Sequence, residues 1–309
     1  MRNLARLNAE KAGPDAQSRL RTPIRRLYCR IEEEFDVLDA QTLTEGNRCR
    51  LVKDPGLAEL NRYCDVLPFR ENLVLLDGAD APCPANYINA NFVGHPFRAA
   101  ERRFIACQAP LPHTVHAFCR MLLREGVGEV VTIINEQEDP QRYFDYWTES
   151  STYGAHRVRV LEQVAASGFL RVARLEVSCC DSGERRELTH FHIAEWRDYC
   201  APSAQNLSAF VEFLRRLLAG KERSSPVVVH CSAGIGRTMT FICSYFLVEQ
   251  TAPGCDGEAR LRHSVRDLVS GLREQRYHAV NTLKQYKFLY EVAHFLQEEG
   301  DEEPLRPCF

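Results

Sequence analysis

The stretch Pro226-Val227-Val228-Val229-His230-Cys231-Ser232-Ala233-Gly234-Ile235-Gly236-Arg237-Thr238 decides the fold. Its valine run is short, apolar and β-branched, the pattern of a strand buried on both faces. Cys231 to Arg237 is built of small residues and two glycines, so a tight loop follows. From Thr238 to Gln250 the residues are mostly apolar at helical length. Strand, loop and helix in immediate succession make an α/β unit.

The loop is suited to an anion. Small residues let the backbone curl with its N–H groups inward, and such a nest binds negative charge. The helix that starts there turns its positive dipole end to the same point. Arg237 adds a planar fork that matches phosphate oxygens. A cysteine in that field is expected to be a thiolate, which is the nucleophilic form. His230 and Thr238 flank it and can tune it by hydrogen bonding. A lone cysteine before a glycine turn would read as core. The spacing HC-x5-R-T between a β-branched run and an apolar helix does not. A Walker-type loop needs Gly-Lys-Ser/Thr, which is absent.

Outward from this stretch the pattern stays mixed. Ile24 to Val37 has helix-like spacing, with Leu27, Ile31 and Phe35 on one side. Tyr87–Val93, Phe104–Gln108, Val130–Ile134, Tyr143–Trp147, His156–Val164, Leu170–Ser178 and Leu188–Trp196 read as strands. Val115–Glu125, Asn206–Leu218, Gly257–Gln275 and Thr282–Glu299 read as helices. Asp77 to Pro84 is a loop. No linker-like break divides the chain, so one domain is expected over residues 1–300. Residues 1–35 would be a helical extension packed on it, and 301–309 a frayed acidic tail.

Composition narrows the class. The 309 residues are 45% hydrophobic and 26% charged, ordinary for a globular protein. The net charge of -3 disfavours a nucleic-acid partner. Thirteen cysteines, an odd number without CxxC pairs, argue for reduced thiols and a cytoplasmic setting. No secretory signal or transmembrane run is read. The basic first thirty residues read as a solvated helix face in preference to a peripheral membrane contact.

With these residues in view, the sequence resembles the tyrosine-specific protein phosphatase family. His230 to Thr238 is similar to its phosphate-binding loop. Asn61-Arg62-Tyr63-Cys64-Asp65-Val66-Leu67-Pro68-Phe69 resembles its phosphotyrosine-recognition loop, and Asn86 to Phe92 its "DYINAS" strand. Phe104 to Pro110 resembles "YIATQGP". Phe191 to Asp198 resembles the strand entering the mobile acid loop, and Gln275-Arg276, Asn281-Thr282 and Gln285-Tyr286 the late glutamine-bearing loop. The likeness runs in order from Asn61 to Leu296.

The resemblance implies a single phosphatase domain, a highly twisted mixed β-sheet flanked by α-helices, with no metal and no organic cofactor. It implies Cys231 as nucleophile, Arg237 as phosphate ligand and Asp198 as general acid and then base, with Thr238 and His230 beside the thiolate. Ser232, Ala233, Gly234, Ile235 and Gly236 would surround the phosphate. Trp196, in the acid loop, would contact substrate, Tyr63 would wall a pocket too deep for phosphoserine, and Asp65 would accept from the substrate backbone. Asn281 and Gln285 would position the attacking water. Tyrosine-phosphorylated proteins are the implied partners, and a monomer is expected. Cys231 is expected to be sensitive to peroxide.

The chain departs from the family pattern at several points. Arg197 stands where the acid loop has proline, and Cys200 where it has glycine, so loop closure and hinge are expected to differ. Met239 follows Thr238 in place of glycine. Asn281 is one methylene shorter than glutamine. Arg142 is the nearest match to the lysine facing the acid loop, and the family's glutamate falls at Glu136 or Glu138. The departures motivate an alternative reading, a slow phosphotyrosine-binding pseudophosphatase. A dual-specificity or lipid phosphatase, with a shallow pocket, would have no use for Tyr63; a pure scaffold would show no turnover.

Overall fold

The computed structural model describes residues 29–78, 81–98, 103–220, 225–252 and 263–301. Two compact units are distinguished, Met1–Thr44 and Glu45–Phe309. In the first, residues 29–42 form helix α1, and Thr42 caps a last-turn carbonyl by donating to Leu38 O at 2.8 Å. Residues 1–28 of the expected extension and 302–309 of the expected tail lie outside the described residues.

The second unit contains, among the described residues, a sheet of nine strands. They are β1 (Leu73–Leu75), β2 (Tyr87–Val93), β3 (Phe104–Cys107), β4 (Glu129–Ile133), β5 (Ser151–Tyr153), β6 (His156–Ala166), β7 (Leu170–Cys179), β8 (Arg185–Ile193) and β9 (Val227–His230). Their spatial order is β1-β2-β3-β9-β4-β8-β7-β6-β5. The middle four, β3, β9, β4 and β8, are parallel, and the outer pairs are antiparallel. The sheet is therefore mixed, as the sequence implied.

This order fixes where chemistry can happen. In a parallel sheet, the loops leaving the carboxyl ends of neighbouring strands meet in one crevice. Gln108 follows β3, Asn135 follows β4, Trp196 follows β8 and Cys231 follows β9. Four stretches distant in sequence are thus gathered at one edge by strand pairing alone.

Both faces are covered, which is why β9 reads as unbroken valine. On one face lies α3 (Val115–Arg124), whose Phe118, Met121 and Leu122 join Ile105, Val130 and Leu175 in one core. On the other lies α5 (Arg237–Gln250), buried along its entire length. It contacts α4 (Leu207–Ala219), α6 (Val265–Arg273) and α7 (Leu283–Asp301). A largely apolar helix with no exposed face is stable only when enclosed in this way.

Three local expectations are corrected. Tyr143–Trp147 is not a strand. Its aromatic residues suit a strand, but their rings leave the sheet edge: Tyr146 packs on Phe118, and Trp147 stacks on His190 at 5.3 Å. The last sheet strand before the acid loop ends at Ile193, short of Trp196, because the chain leaves the ladder to form that loop. The helix expected from Gly257 begins, within the described residues, at Val265, where Ser264 and Asp267 form a capping box. Residues 257–262 lie outside the described residues. A short helix, α2 (Glu45–Arg50), and a 3-10 turn (Pro55–Leu60) lie between α1 and β1.

Candidate active site

The loop after β9 closes as its composition requires. Gly234 adopts φ +75, and a Cβ there would stand 2.2 Å from the Cys107 carbonyl oxygen. Only glycine fits both the conformation and the approach. Gly234→Ala is therefore expected to cost about 3 kcal/mol or more, read as a lower urea midpoint with unchanged m-value.

Cys231 sits at the base of this loop, 2% exposed, with its Sγ receiving the Gly234 N–H at 3.3 Å. The hydrogen bond to sulfur thus comes from the backbone. His230 was expected to tune the thiol, but it does not reach it. Its Nδ1 lies 3.2 Å from Cys231 O, while Nε2 meets Thr132 Oγ1 and Tyr146 OH, each at 2.8 Å. Since a carbonyl can only accept, Nδ1 carries the proton and Nε2 accepts. Burial lowers the His230 pKa to about 3, so the ring is neutral. It pins the loop carbonyl and leaves the charge to others.

Arg237 is 1% exposed. Its Nη1 binds Glu138 Oε1 and, at 3.1 Å, Trp196 O, while Nη2 binds Glu138 Oε2 at 3.1 Å. Nη2 also lies 3.2 Å from Asp198 Oδ1. Burial works against the cation, but Cys231, Glu138 and Asp198 outweigh it and raise its pKa. The choice between Glu136 and Glu138 is settled by these contacts: Glu138 grips Arg237, whereas Glu136 pairs with Arg171. Glu138 Oε1 also accepts the Asn135 N–H, a local turn that aims the carboxylate at the site.

The acid loop lies over this arginine. Trp196 is fully buried between Phe210 and Phe288 and donates its indole N–H to Cys200 O at 2.7 Å. Asp198 Oδ2 accepts from Arg142 Nη1, so Arg142 does face the acid loop. The left-handed residue of this loop is Tyr199, at φ 55, not Cys200.

The recognition loop is fastened to the same floor. Gln108 Oε1 accepts the Arg62 N–H at 2.8 Å, and the Arg62 guanidinium donates to Ala109, Pro110 and Gln141 carbonyls. Tyr63 OH donates to Ser232 Oγ at 2.8 Å, since that hydroxyl spends its own proton on Arg142 O at 2.6 Å. Beneath, the wholly buried Arg276 spans Asn91, Asn89 and the Gly234 carbonyl. Burial lowers its pKa to about 10, which still leaves it charged at neutral pH. No role was assigned to Arg276 from the sequence; its only signal was a charge inside the late-loop motif.

The late loop touches the phosphate loop through the Val280 N–H, which donates to Ile235 O at 3.0 Å. Gln285 packs against Gly236, where a Cβ would come within 3.0 Å of its Nε2. Ala233 and Gly234 are held from below through their carbonyls by Arg276. Asp65 is exposed and Asn281 half-buried, and neither makes a hydrogen bond to the phosphate loop. Three buried polar atoms around that loop have no protein partner: Arg237 Nε, Thr238 Oγ1 and Gln285 Oε1.

Comparison with known proteins agrees with this geometry. The family model described as protein-tyrosine phosphatase matches residues 58–295. Tyrosine-protein phosphatase non-receptor type 7 of Homo sapiens is 32% identical over 283 residues, covering 89% of this chain and 73% of its own length. Tyrosine-protein phosphatase non-receptor type 4 of Mus musculus is 32% identical, covering 84% of this chain but 27% of its own length. This chain thus spans about a quarter of that relative. The structure of PTPN18 in complex with HER2-pY1248 phosphor-peptides superposes with a TM-score of 0.74 at 28% identity, over 86% of this chain and 99% of that one. The chain belongs to the protein-tyrosine phosphatase family. Among the described residues no helix is long and apolar enough to cross a membrane.

Proposed function

We propose that the chain hydrolyses phosphotyrosine in proteins through a cysteinyl-phosphate on Cys231. The observation that carries this is a pair of buried, unpartnered donors, Arg237 Nε and Thr238 Oγ1, in the first turn of the helix that the Cys231 loop opens, with a third unpartnered atom, Gln285 Oε1, on the residue packed against Gly236. Burying a donor without an acceptor is costly, so Arg237 Nε and Thr238 Oγ1 are explained by a ligand that supplies oxygens, while Gln285 Oε1, an acceptor, is suited to a water proton. A phosphoryl group does so.

The first step forms a bond from Cys231 Sγ to phosphorus and breaks the bond to the tyrosine oxygen. Asp198 gives that oxygen its proton, and tyrosine leaves. Water then attacks phosphorus as Asp198 takes its proton, the bond from phosphorus to Cys231 Sγ breaks, and inorganic phosphate leaves. Arg237, the loop N–H groups and the helix dipole meet the charge in both steps. Thr238 Oγ1 is suited to donate to the departing thiolate, and Gln285 and Asn281 to hold the water. Tyr63 walls the pocket beside Ser232. The solved PTPN18 complexes with phosphor-peptides favour a phosphorylated peptide as substrate here too. All cysteines among the described residues are free, which suits a reducing compartment, the cytoplasm. A monomer suffices, because the site is assembled within one chain.

A second reading, slow turnover with retained binding, is favoured by Arg197 in place of proline and by the two arginines at Asp198. Asp198→Ala separates the two readings. On a phosphotyrosine peptide it is expected to lower kcat by about 10²–10³-fold, with matched phosphoserine peptide inert to both proteins. A wild type no faster than Asp198→Ala, yet binding the phosphotyrosine peptide, would establish the binding module instead.

A further inference from the structure

Tyr199 is an exposed tyrosine, 55% accessible, in a backbone conformation that costs free energy for any residue but glycine. Such a conformation persists only where the surroundings over-determine it. The surroundings come from three different loops. The Tyr199 N–H donates to Asp198 Oδ1 at 3.0 Å. Its carbonyl accepts from Thr282 Oγ1 at 3.4 Å. Its ring lies 5.9 Å from Arg142 Cζ, and that guanidinium holds Asp198 Oδ2. Arg142 is itself fixed, because its carbonyl accepts the Ser232 hydroxyl of the phosphate loop. Thr282 is fixed too, since its hydroxyl also receives the Gln285 N–H at 3.2 Å.

We infer that Tyr199 is a positioning residue, a clasp between Arg142 and Thr282 that holds Asp198 over the phosphate loop in the absence of the proline that Arg197 replaces. Proline would stiffen the loop from within by fixing φ. The chain stiffens it from outside: a cation–π contact on one side, a hydroxyl on the other, and a kink that turns amide and carbonyl towards their partners. The left-handed kink is the device that lets one residue serve three contacts. Replacing it by a right-handed turn would point the Tyr199 carbonyl away from Thr282.

The inference rests on the reading of Asp198 as the acid, so its test has one arm that needs no turnover. Tyr199→Asn keeps a residue that tolerates the left-handed region but removes the ring. Thr282→Val keeps the shape but removes the hydroxyl. Amide exchange over residues 196–202 is expected to quicken about fivefold in each variant. In a series of aryl phosphates, kcat/KM should fall most for the most basic phenol and least for the most acidic one. That steeper leaving-group dependence marks a misplaced acid, and a merely structural defect would lower all substrates alike. Exchange within about twofold of wild type in both variants overturns the clasp. So does faster exchange with an unchanged leaving-group dependence. A wild type that hydrolyses none of the series would refute the phosphatase reading, and the exchange arm would still decide whether Tyr199 holds the loop.

Discussion

Cys231→Ser is expected to lower kcat on a phosphotyrosine peptide by on the order of 10⁵-fold or more. The exchange of sulfur for oxygen is small, and the loop that makes the site is held elsewhere. Gly234 stays wedged against Cys107, and Arg276 still carries the loop carbonyls. Peptide affinity should therefore remain within about tenfold, read by calorimetry. The chemistry does not survive, because a serine hydroxyl needs a base to become a nucleophile. His230, the neighbouring imidazole, cannot serve. Its Nδ1 proton is committed to Cys231 O, and its Nε2 is occupied by Thr132 and Tyr146. A serine variant with turnover within a hundredfold of wild type would remove Cys231 as nucleophile.

Arg237→Ala is expected to fail in two ways at once. It removes the guanidinium, with its unpartnered Nε–H, proposed to meet the phosphoryl oxygens, which should lower kcat/KM by about 10³-fold or more. It also leaves Glu138 without its cation. The Glu138 side chain is 8% exposed, and Arg237 is the group that grips both of its oxygens. An unpaired carboxylate so buried is expected to cost about 3–5 kcal/mol in urea unfolding. Adding Glu138→Gln should return part of that stability but none of the activity. Unchanged stability in the single variant, or recovered activity in the double one, would contradict the pairing.

The parts of the site that sequence could reveal are those built locally. The valine run, two glycines and an arginine stand within one short stretch, so a strand, a tight loop and a helix were legible there without any partner. Gly234 could be named because a tight curl needs such a residue somewhere in it, although the blocking group, Cys107 O, comes from another strand. Asp198 was legible only through the resemblance, since a carboxylate on an exposed loop carries no periodic signal.

What stayed hidden depends on distant contacts. Glu136 and Glu138 stand two apart in an irregular segment, and the turn at Asn135 selects between them. Arg276 takes its meaning from Asn89 and Asn91, 187 and 185 positions earlier in the chain. Tyr143 to Trp147 has the composition of a strand, but its rings are claimed by His190, His230 and Phe118. The hinge was expected to differ because Cys200 replaces glycine, and the left-handed residue of the loop is Tyr199, one position earlier. No local propensity marks Tyr199 for a left-handed turn; a bond to the adjacent Asp198 and two tertiary contacts, to Thr282 and Arg142, go with it.

The most direct test of the central claim is a rapid-quench experiment with excess phosphotyrosine peptide. Acid-quenched protein would be digested and the site of phosphate found by mass spectrometry. The account predicts a burst of dephosphorylated peptide and a phosphate on the peptide bearing Cys231, accumulating further in Gln285→Ala, where water is poorly held. Turnover without phosphate on Cys231 at any quench time, or phosphate on another residue, would contradict it.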